Sequence, residues 1–542
     1  MDCPPLPWMI NFHSTQDGTI LNQQYEAAFA NDYIQHLCKI NVDSALPKKR
    51  LSGIICSVGP KATPDLLENM MEAGMSIAVI KLAYCSMAEA KELIQNVRKA
   101  VMVYSMKLGR IYSLGIAIDI KGPEIRVGKV KDDNDELELL KGETTKLTND
   151  PMYEEFVTKD MIYVNLKDFS TITPGDKILI SDTTNGHISL SAQKIVGSVI
   201  KCLIENTGKF GSKASVSLEV MVNTVLINDE DKEAIEFCMQ ERVTFIFMPF
   251  VEQAEVIREA RSLLGKESRN ILMVAKIENS VGVYNIDSII EESDGILISR
   301  VALASELAPE KVIVIQKMII GKCNKQGVPS ILAPSVLATM AANPTPTSAE
   351  IADITNAITD GVDCFWLSRE TALGIYPIES IKALDSICRT AEPLMYHTQM
   401  FRDLTVTVTP VEPLYAISIA AVEAAMKCSA GAILVATVTG RSAKLIARFR
   451  PKCPVIAITR YAHVSRSLTM WRAIDAVHYI KKPEEKWCAD IEKRIQFGIT
   501  HGKTKGYIKT GDALVLVMGS KMGTGFTNAL KIVYASEYDT FE

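Results

Sequence analysis

The sequence predicts an α/β protein: a (β/α)8 TIM barrel with an inserted small β-barrel domain and a C-terminal α/β domain. Three observations lead to this fold class. Short apolar runs alternate with helical segments from residue 51, eight such runs belong to the alternation, and a β-rich stretch over residues 124–224 interrupts it once. Repeated βα units imply parallel strands with right-handed crossovers, and eight is the number that closes a barrel. A doubly wound open sheet is the alternative that this pattern leaves open.

The barrel is predicted in two parts, residues 51–123 and 225–395. In the first part, TPDLLENMMEAG has the Thr-Pro start and Gly stop of a helix, and it lies between the strand patterns LSGIICSVG and SIAVIKLA. The strand pattern LGIAIDI follows a second, longer helix. The second part supplies the other five strands, VTFIFMPFV, ILMVAKIEN, GILISR, PSILAP and CFWLS.

Three further segments are predicted outside the barrel. Residues 1–50 form an irregular N-terminal segment with one helical patch. Residues 124–224 carry short runs such as MIYVNL and DKILISD between the turn sequences TPGD and TTNG, which indicates a small β domain inserted as a lid. Residues 396–542 contain the strand patterns AILVAT, PVIAIT, AVHYI and ALVLVMG between helices, which indicates an α/β domain.

The composition excludes several classes of protein. The 542 residues carry a formal net charge of −5, which gives no support for a nucleic-acid partner or a polybasic membrane surface. The 12 cysteines show no C-x-x-C pair and no zinc-like or disulfide-like spacing, so a reducing, cytoplasmic setting is expected. The N-terminus has no apolar signal region, and no apolar run reaches membrane-spanning length.

The stretch ILMVAKIENS ends a buried strand pattern with Lys276 and Glu278. Side chains alternate along a strand, so these two side chains point the same way. If a barrel strand ends here, both project from the carboxyl-end mouth, where barrels of this kind carry out their chemistry. A surface ion pair at a strand end is the alternative that this stretch alone leaves open.

A series of motifs, taken in order, resembles the pyruvate kinase family over nearly the whole chain. The motifs are GIICSVGP (53–60), AIDIKGPEIRVG (117–128), AKIENSVGV (275–283), VIQKMIIGKCNKQG (314–327), LSRETALGIYP (367–377), GRSAKLIARFRP (440–451) and GTGFTN (523–528). The resemblance implies the architecture above, with a C-terminal domain of regulatory type, usually as a tetramer. It also implies phosphoryl transfer from phosphoenolpyruvate to ADP, giving pyruvate and ATP in the last step of glycolysis, with Mg²⁺ and K⁺.

The same resemblance gives four residues expected roles. Lys276 matches the lysine that stabilises the transferring phosphoryl group and helps the enolate take its proton, and Glu278 matches a metal-binding glutamate. Arg126 matches a residue that contacts phosphate groups, and Asp119 matches a carboxylate of the monovalent-cation site. These residue types suit phosphoryl transfer, which needs cations around the moving group and a metal with hard oxygen ligands.

The sequence departs from the family pattern around this site. The second metal carboxylate is replaced by Ala302, and Val301 stands where the family has glycine. Five further departures are Val79 for an arginine that grips the substrate phosphate, Lys81 and Ala83 for two potassium ligands, Tyr84 for a histidine near the nucleotide, and Pro334 for a threonine that contacts substrate. We therefore expect a weakened magnesium site and impaired or lost activity; a working kinase with compensated chemistry is the alternative.

Three functional hypotheses remain open at this point. The protein is a slow or altered pyruvate kinase, a non-catalytic subunit of homo- or hetero-tetramers, or a sensor of phosphorylated metabolites. For Lys81, the hypothesis is an ion pair with Asp119 that replaces potassium, because the neutral oxygen ligands at 81 and 83 are gone. The alternative is that Lys81 points elsewhere and the potassium site has decayed.

A second candidate site lies in the C-terminal domain, where a strand runs into a helix through the sequence TVTGRS. Hydroxyl groups and free backbone N–H groups at a helix N-terminus form a phosphate cradle. The resemblance implies a sugar-phosphate effector site formed by Thr437, Thr439, Gly440, Arg441, Ser442, Trp487 and Arg494, closed by Gly523–Gly525. Val438 departs from the lysine of some regulated members, and a loop that only caps the helix is the alternative.

Overall fold

Eight parallel strands close into a barrel in the computed structural model of the chain. They are β1 (Gly53–Ser57), β2 (Ile77–Lys81), β3 (Gly115–Asp119), β13 (Phe245–Met248), β14 (Leu272–Ile277), β15 (Gly295–Ser299), β16 (Ser330–Ala333) and β17 (Cys364–Leu367). Their order around the barrel is β1-β17-β16-β15-β14-β13-β3-β2, and the pairs are parallel. The predicted (β/α)8 barrel is therefore confirmed, and the open sheet is excluded.

The structure describes residues 24–539, with several short gaps. The gaps fall at 61, 123–124, 131–135, 167–168, 170–171, 182–186, 219–226, 407–409, 522, 524 and 538. The proposed boundaries of the inserted domain, at 124 and 224, and Thr524 of the proposed effector loop therefore lie outside the described residues.

Helices surround the barrel and follow the βα alternation. In the N-terminal segment and the barrel they are α1 (Tyr25–Ala28), α2 (Tyr33–Cys38), α3 (Pro64–Ala73), α4 (Met87–Leu108), α5 (Asp229–Gln240), α6 (Ala254–Leu264), α7 (Ser280–Tyr284), α8 (Ile286–Glu292), α9 (Arg300–Glu306), α10 (Pro309–Gln326), α11 (Ser348–Asp360), α12 (Arg369–Ala372), α13 (Pro377–Ala391) and α14 (His397–Thr405). Their ends follow the sequence signals: Thr63 caps α3, whose first residue is a proline, and Gly74 ends it in the left-handed region.

The inserted segment between β3 and β13 folds mainly as antiparallel sheet. Its strands are β4 (Ile125–Arg126), β5 (Glu136–Leu139), β6 (Thr144–Thr148), β7 (Met161–Tyr163), β8 (Lys177–Ser181), β9 (His187–Val196), β10 (Val199–Ile204), β11 (Gly208–Gly211) and β12 (Ser215–Leu218). Seven of them form one sheet in the order β4-β12-β8-β9-β10-β6-β7, and β11 pairs with β5. The segment has its own apolar core, in which Ile180, Leu190 and Phe210 are fully buried.

The C-terminal domain is a five-stranded sheet between helices. Its strands are β18 (Ala432–Ala436), β19 (Val455–Thr459), β20 (Ile474–His478), β21 (Ala513–Gly519) and β22 (Thr527–Tyr534), in the order β20-β19-β18-β21-β22. Its helices are α15 (Pro413–Lys427), α16 (Arg441–Arg448), α17 (Ala462–Ser467) and α18 (Trp487–Thr504). The first four strands were predicted. The antiparallel edge strand β22 was not, because it is only partly buried and carries no continuous apolar run.

The C-terminal domain closes the amino-terminal end of the barrel. Met470 and Trp471 belong to the same apolar cluster as the side chains that fill the barrel interior. Gly295 begins β15, where an added Cβ would lie 3.0 Å from Met470 Cε, so the close approach favours glycine at this position. The barrel interior is therefore completed by residues from another domain.

The described part of the chain contains no helix that is both long and apolar enough to cross a membrane.

Candidate active site

A cavity of about 570 Å³ opens at the carboxyl ends of the barrel strands, where residues of the inserted segment also reach it. Because the eight strands are parallel, their carboxyl ends all lie at this end of the barrel. Polar residues at the carboxyl ends of neighbouring strands therefore face the same cavity. Ten of the predicted site residues line it: Lys81, Ala83, Tyr84, Asp119, Arg126, Lys276, Glu278, Val301, Ala302 and Pro334.

A lysine between two carboxylates forms the centre of the cavity. Lys276 Nζ lies 3.2 Å from Asp119 Oδ1 and 3.4 Å from Glu278 Oε1. The three side chains are mostly buried, with exposed fractions of 13%, 9% and 8%. Glu278 Oε2 also accepts a hydrogen bond of 3.0 Å from the backbone N–H of Phe250. The ammonium therefore neutralises part of the charge of both carboxylates and faces any ligand that enters.

The predicted ion pair between Lys81 and Asp119 is wrong. The two residues are neighbours in register on β2 and β3, but Lys81 Nζ donates a 2.7 Å hydrogen bond to Ser368 Oγ. The ammonium also lies 4.7 Å from the centre of the Trp366 ring, in a cation–π contact. The ammonium that contacts Asp119 is that of Lys276. The long side chain of Lys81 instead crosses β1 and reaches Ser368, directly after β17.

Val79 is the one predicted site residue of the barrel mouth that does not line the cavity. It is fully buried in the barrel interior with Phe247 and Trp366. The Phe247 and Trp366 rings meet edge to face with centroids 5.3 Å apart, and Trp366 Nε1 donates to Ser57 Oγ at 3.0 Å. We call Val79, Phe247 and Trp366 the apolar floor, because they pack in the barrel interior and Trp366 also lines the cavity above.

The wall that carries Ala302 offers no side-chain oxygen at that position. Ala302 lies on α9, and its backbone carbonyl accepts a 2.6 Å hydrogen bond from Ser305 Oγ. Within the described residues, no group of three or more His, Cys, Asp or Glu side chains is placed to hold a metal ion. Mg²⁺ in phosphoryl-transfer sites uses one or two carboxylates together with substrate oxygens and water. Glu278 is therefore the carboxylate of this cavity that could hold a divalent ion, and position 302 supplies no second carboxylate.

Arg126 lies at the junction of the barrel and the inserted segment. Its guanidinium carbon is 5.0 Å from the centre of the Tyr84 ring, and Nη1 donates to Tyr84 Oη at 3.2 Å and to the backbone carbonyl of Lys213 at 2.7 Å. Arg126 thus faces the cavity with Tyr84 against it. Tyr84, which stands where the family resemblance places a histidine, therefore helps to hold the side chain of Arg126 in this orientation.

Sequence reasoning missed three residues that follow the last barrel strand. Ser368, Arg369 and Glu370 line the cavity. Glu370 is 1% exposed and accepts hydrogen bonds from the backbone N–H groups of Leu337 (3.2 Å) and Ser368 (2.8 Å). Burial raises the pKa of the Glu370 carboxyl. The sequence LSRE could have indicated them, because its polar residues come directly after a buried strand. The same pattern at the end of β14 was used to place Lys276 and Glu278 at this mouth.

The candidate phosphate loop of the C-terminal domain is held by its own hydrogen bonds. Thr437 Oγ1 accepts from the backbone N–H of Gly440 at 3.0 Å, and Ser442 Oγ contacts Thr527 Oγ1 at 3.1 Å. Arg441 is exposed and pairs with Glu412 at 2.6 Å. Val438 and Thr439 complete the turn.

The other two predicted effector residues lie on α18. Trp487 Nε1 donates to the backbone carbonyl of Gly519 at 2.9 Å. Arg494 is buried and pairs with Asp490 at 2.9 Å, and Asp490 also pairs with Arg460 at 2.6 Å. The charge of Arg494 is therefore partly neutralised within the domain.

The fold and this mouth define a class of barrel proteins with a cationic and carboxylate-bearing site at the carboxyl ends of the strands. Two family descriptions match the chain: pyruvate kinase, barrel domain, over residues 49–381, and pyruvate kinase, alpha/beta domain, over residues 415–533. The chain is 38% identical over 520 residues to pyruvate kinase PKLR of Homo sapiens, covering 95% of this chain and 90% of the relative. It is 36% identical over 508 residues to pyruvate kinase 1 of Trypanosoma brucei brucei, covering 92% and 99%. The chain belongs to the pyruvate kinase family.

Proposed function

We propose that this protein transfers a phosphoryl group between phosphoenolpyruvate and ADP, more slowly than ordinary members of its family. The observation that carries the proposal is the ammonium of Lys276 between Asp119 and Glu278 at the carboxyl-end mouth. A buried cation in this position stabilises negative charge that develops on a transferring phosphoryl group. The family membership supports the choice of substrates.

Slow turnover is proposed because two contacts are missing. Val79 lies in the apolar floor, where a substrate-binding arginine is expected from the family resemblance, and Ala302 supplies no carboxylate. A hydrogen bond to a charged group contributes roughly 1.5–3 kcal/mol. The loss of two such contacts therefore costs roughly 3–6 kcal/mol, or about 10²- to 10⁴-fold in rate.

We expect the purified chain to form pyruvate at least about a hundredfold more slowly than an active family member, at saturating Mg²⁺ and K⁺. A coupled assay with a large excess of the protein measures this rate. Ala302→Asp should recover only part of the deficit, because Val79 and Pro334 remain. A turnover number in the ordinary range of kinases would contradict the proposed impairment.

The proposed use of cations follows from the same geometry. Glu278 would hold the divalent ion, whose chemistry is to bridge and neutralise phosphoryl oxygens when it is bound. For potassium, Lys276 already contacts Asp119, and neither Lys81 nor Ala83 offers a side-chain oxygen. We therefore propose a weakened magnesium site and little dependence on potassium.

The second candidate function is ligand binding without turnover, as an effector-responsive subunit of a homo- or hetero-tetramer. The turn from Thr437 to Ser442 favours it, because it presents hydroxyl groups at the start of α16.

We expect fructose bisphosphate to raise the thermal unfolding temperature of this protein, whether or not it turns over substrate, since a ligand of the native state stabilises it. Ser442→Ala should reduce the shift, and Ala302→Asp should leave it unchanged. An unchanged melting temperature at millimolar ligand, where a regulated homologue responds, would count against the effector site.

A further inference from the structure

Lys81 carries a positive charge at the mouth of the cavity that is separate from the Lys276 cluster. It ends β2 and lines the cavity with Lys276. Its ammonium is fixed by the Ser368 hydroxyl at 2.7 Å and by the face of the Trp366 ring at 4.7 Å. These two contacts hold the lysine without neutralising it, because a hydroxyl and an aromatic ring carry no net charge.

The charge of Lys81 has no direct carboxylate partner in the described part of the chain. The two carboxylates of the cavity centre contact Lys276 instead. Glu370, the nearby acid after β17, accepts hydrogen bonds from the backbone N–H groups of Leu337 and Ser368. An ammonium has three N–H donors, and Ser368 takes one of them, so Lys81 retains donors for a ligand.

The position of Lys81 on its strand also bears on the missing arginine at position 79. Residues 79 and 81 project from the same face of β2, and a strand rises about 3.3 Å per residue, so Lys81 starts about 6.6 Å closer to the mouth. Val79 and Trp366 fill the interior beneath it. A cation from this face therefore reaches the cavity from its rim rather than from its floor.

We propose that Lys81 binds an anionic oxygen of the substrate and takes over the anchoring of its phosphate or carboxylate group. The inference deepens the proposed function, on which it rests, by naming a specificity-determining residue of the same site. The ligand class is a small organic acid that carries a phosphate or carboxylate group. Lys276 contacts it from the opposite charged cluster, and Lys81 fixes the other end from above the apolar floor.

The test is isothermal titration of the full chain without any divalent ion and with choline as the only monovalent cation. The ligands are phosphoenolpyruvate, inorganic phosphate and pyruvate. Lys81→Met should weaken phosphoenolpyruvate binding by about 10- to 100-fold, the range for the loss of one hydrogen bond from a charged group. Lys81→Arg should keep the affinity within about threefold, because it keeps the charge and the cation–π contact. Lys322→Met is the matched control, because Lys322 lies on the surface and pairs with the exposed Asp287.

The phosphate and pyruvate titrations identify which group Lys81 holds. A selective loss of phosphate binding in Lys81→Met assigns the phosphate, and a selective loss of pyruvate binding assigns the carboxylate. Equal affinity of Lys81→Met, Lys81→Gln and the unmodified chain for all three ligands overturns the proposal. So does the absence of phosphoenolpyruvate binding to the unmodified chain at millimolar concentration. The turnover assay tests the proposed function separately, since binding without metal requires no phosphoryl transfer.

Discussion

Arg450→Met is expected to lower the free energy of unfolding by about 3–5 kcal/mol, because it leaves a buried carboxylate without its cation. Arg450 Nη1 lies 2.6 Å from Asp363 Oδ1 and Nη2 lies 2.9 Å from Oδ2. Both side chains are less than 5% exposed. The pair joins the C-terminal domain to the start of β17, so its loss weakens the contact between the two domains. Urea titration followed by circular dichroism measures the change.

Two further variants separate the ion pair from general damage to the interface. Asp363→Asn in the Arg450→Met background should recover a part of the loss, since the side chain at position 363 then no longer carries a buried negative charge without Arg450. Lys322→Met removes an exposed ion pair with Asp287 and should cost less than about 1 kcal/mol. If Arg450→Met changes the free energy of unfolding no more than Lys322→Met does, the buried pair does not stabilise the domain contact.

The stability of the protein is expected to fall in acid because of His397, the first residue of α14. His397 is 3% exposed, and its Nδ1 lies 3.1 Å from the backbone carbonyl of Arg450. Burial, together with the charges of Arg472 and Lys452, lowers the pKa of His397 from 6.5 to about 3. Below pH 6.5 the unfolded chain therefore binds a proton that the native chain does not. The contribution of His397 to the free energy of unfolding is fully present above pH 6.5. Lowering the pH from 7 to 5 reduces this free energy by about 2 kcal/mol.

The contribution of His397 is measured as a difference between variants, because buried carboxylates also titrate in acid. The free energy of unfolding of His397→Gln should decrease less between pH 7 and pH 5 than that of the unmodified chain, by about 2 kcal/mol. His463→Gln is the comparison, because His463 is exposed and partial burial together with Arg466 lowers its pKa. Its removal should reduce the pH dependence in the same direction as His397→Gln, but by less. Parallel pH profiles for the unmodified chain and His397→Gln would show that His397 does not titrate as proposed.

The barrel was predictable because each of its strands and helices can be identified from the residues within that element and at its ends. A parallel strand that is buried on both faces needs a continuous apolar run, and the helix ends carry capping residues such as Thr63 and Gly74. The last strand, β22, could not be predicted in the same way. It pairs with β21 at the edge of the sheet, is only partly buried, and its residues mix apolar and polar types without strict alternation. Its structure depends on its neighbour rather than on its own pattern.

The candidate site was predictable in position but not in its contacts. Alternation along β14 is enough to place Lys276 and Glu278 on one side of a strand end. The partner of Lys81 is Ser368, which lies 287 residues further along the chain and comes close only because β1 and β17 meet when the barrel closes. A lysine side chain has several rotatable bonds. The position of Asp119 beside Lys81 in the sheet therefore did not predict which residue the Lys81 ammonium contacts.

The way in which Met470 and Trp471 close the barrel has a consequence for the order in which the chain acquires its structure. Translation releases the last barrel strand, which ends at Leu367, about a hundred residues before Met470. We therefore expect a barrel that forms before Met470 is synthesised to expose the apolar end of its interior near Gly295, which Met470 covers in the complete chain. Exposed apolar surface of this kind makes a folding intermediate prone to aggregation and a target for chaperones. We therefore expect the apolar interior of the barrel to be fully covered only after the segment that carries Met470 and Trp471 has been synthesised.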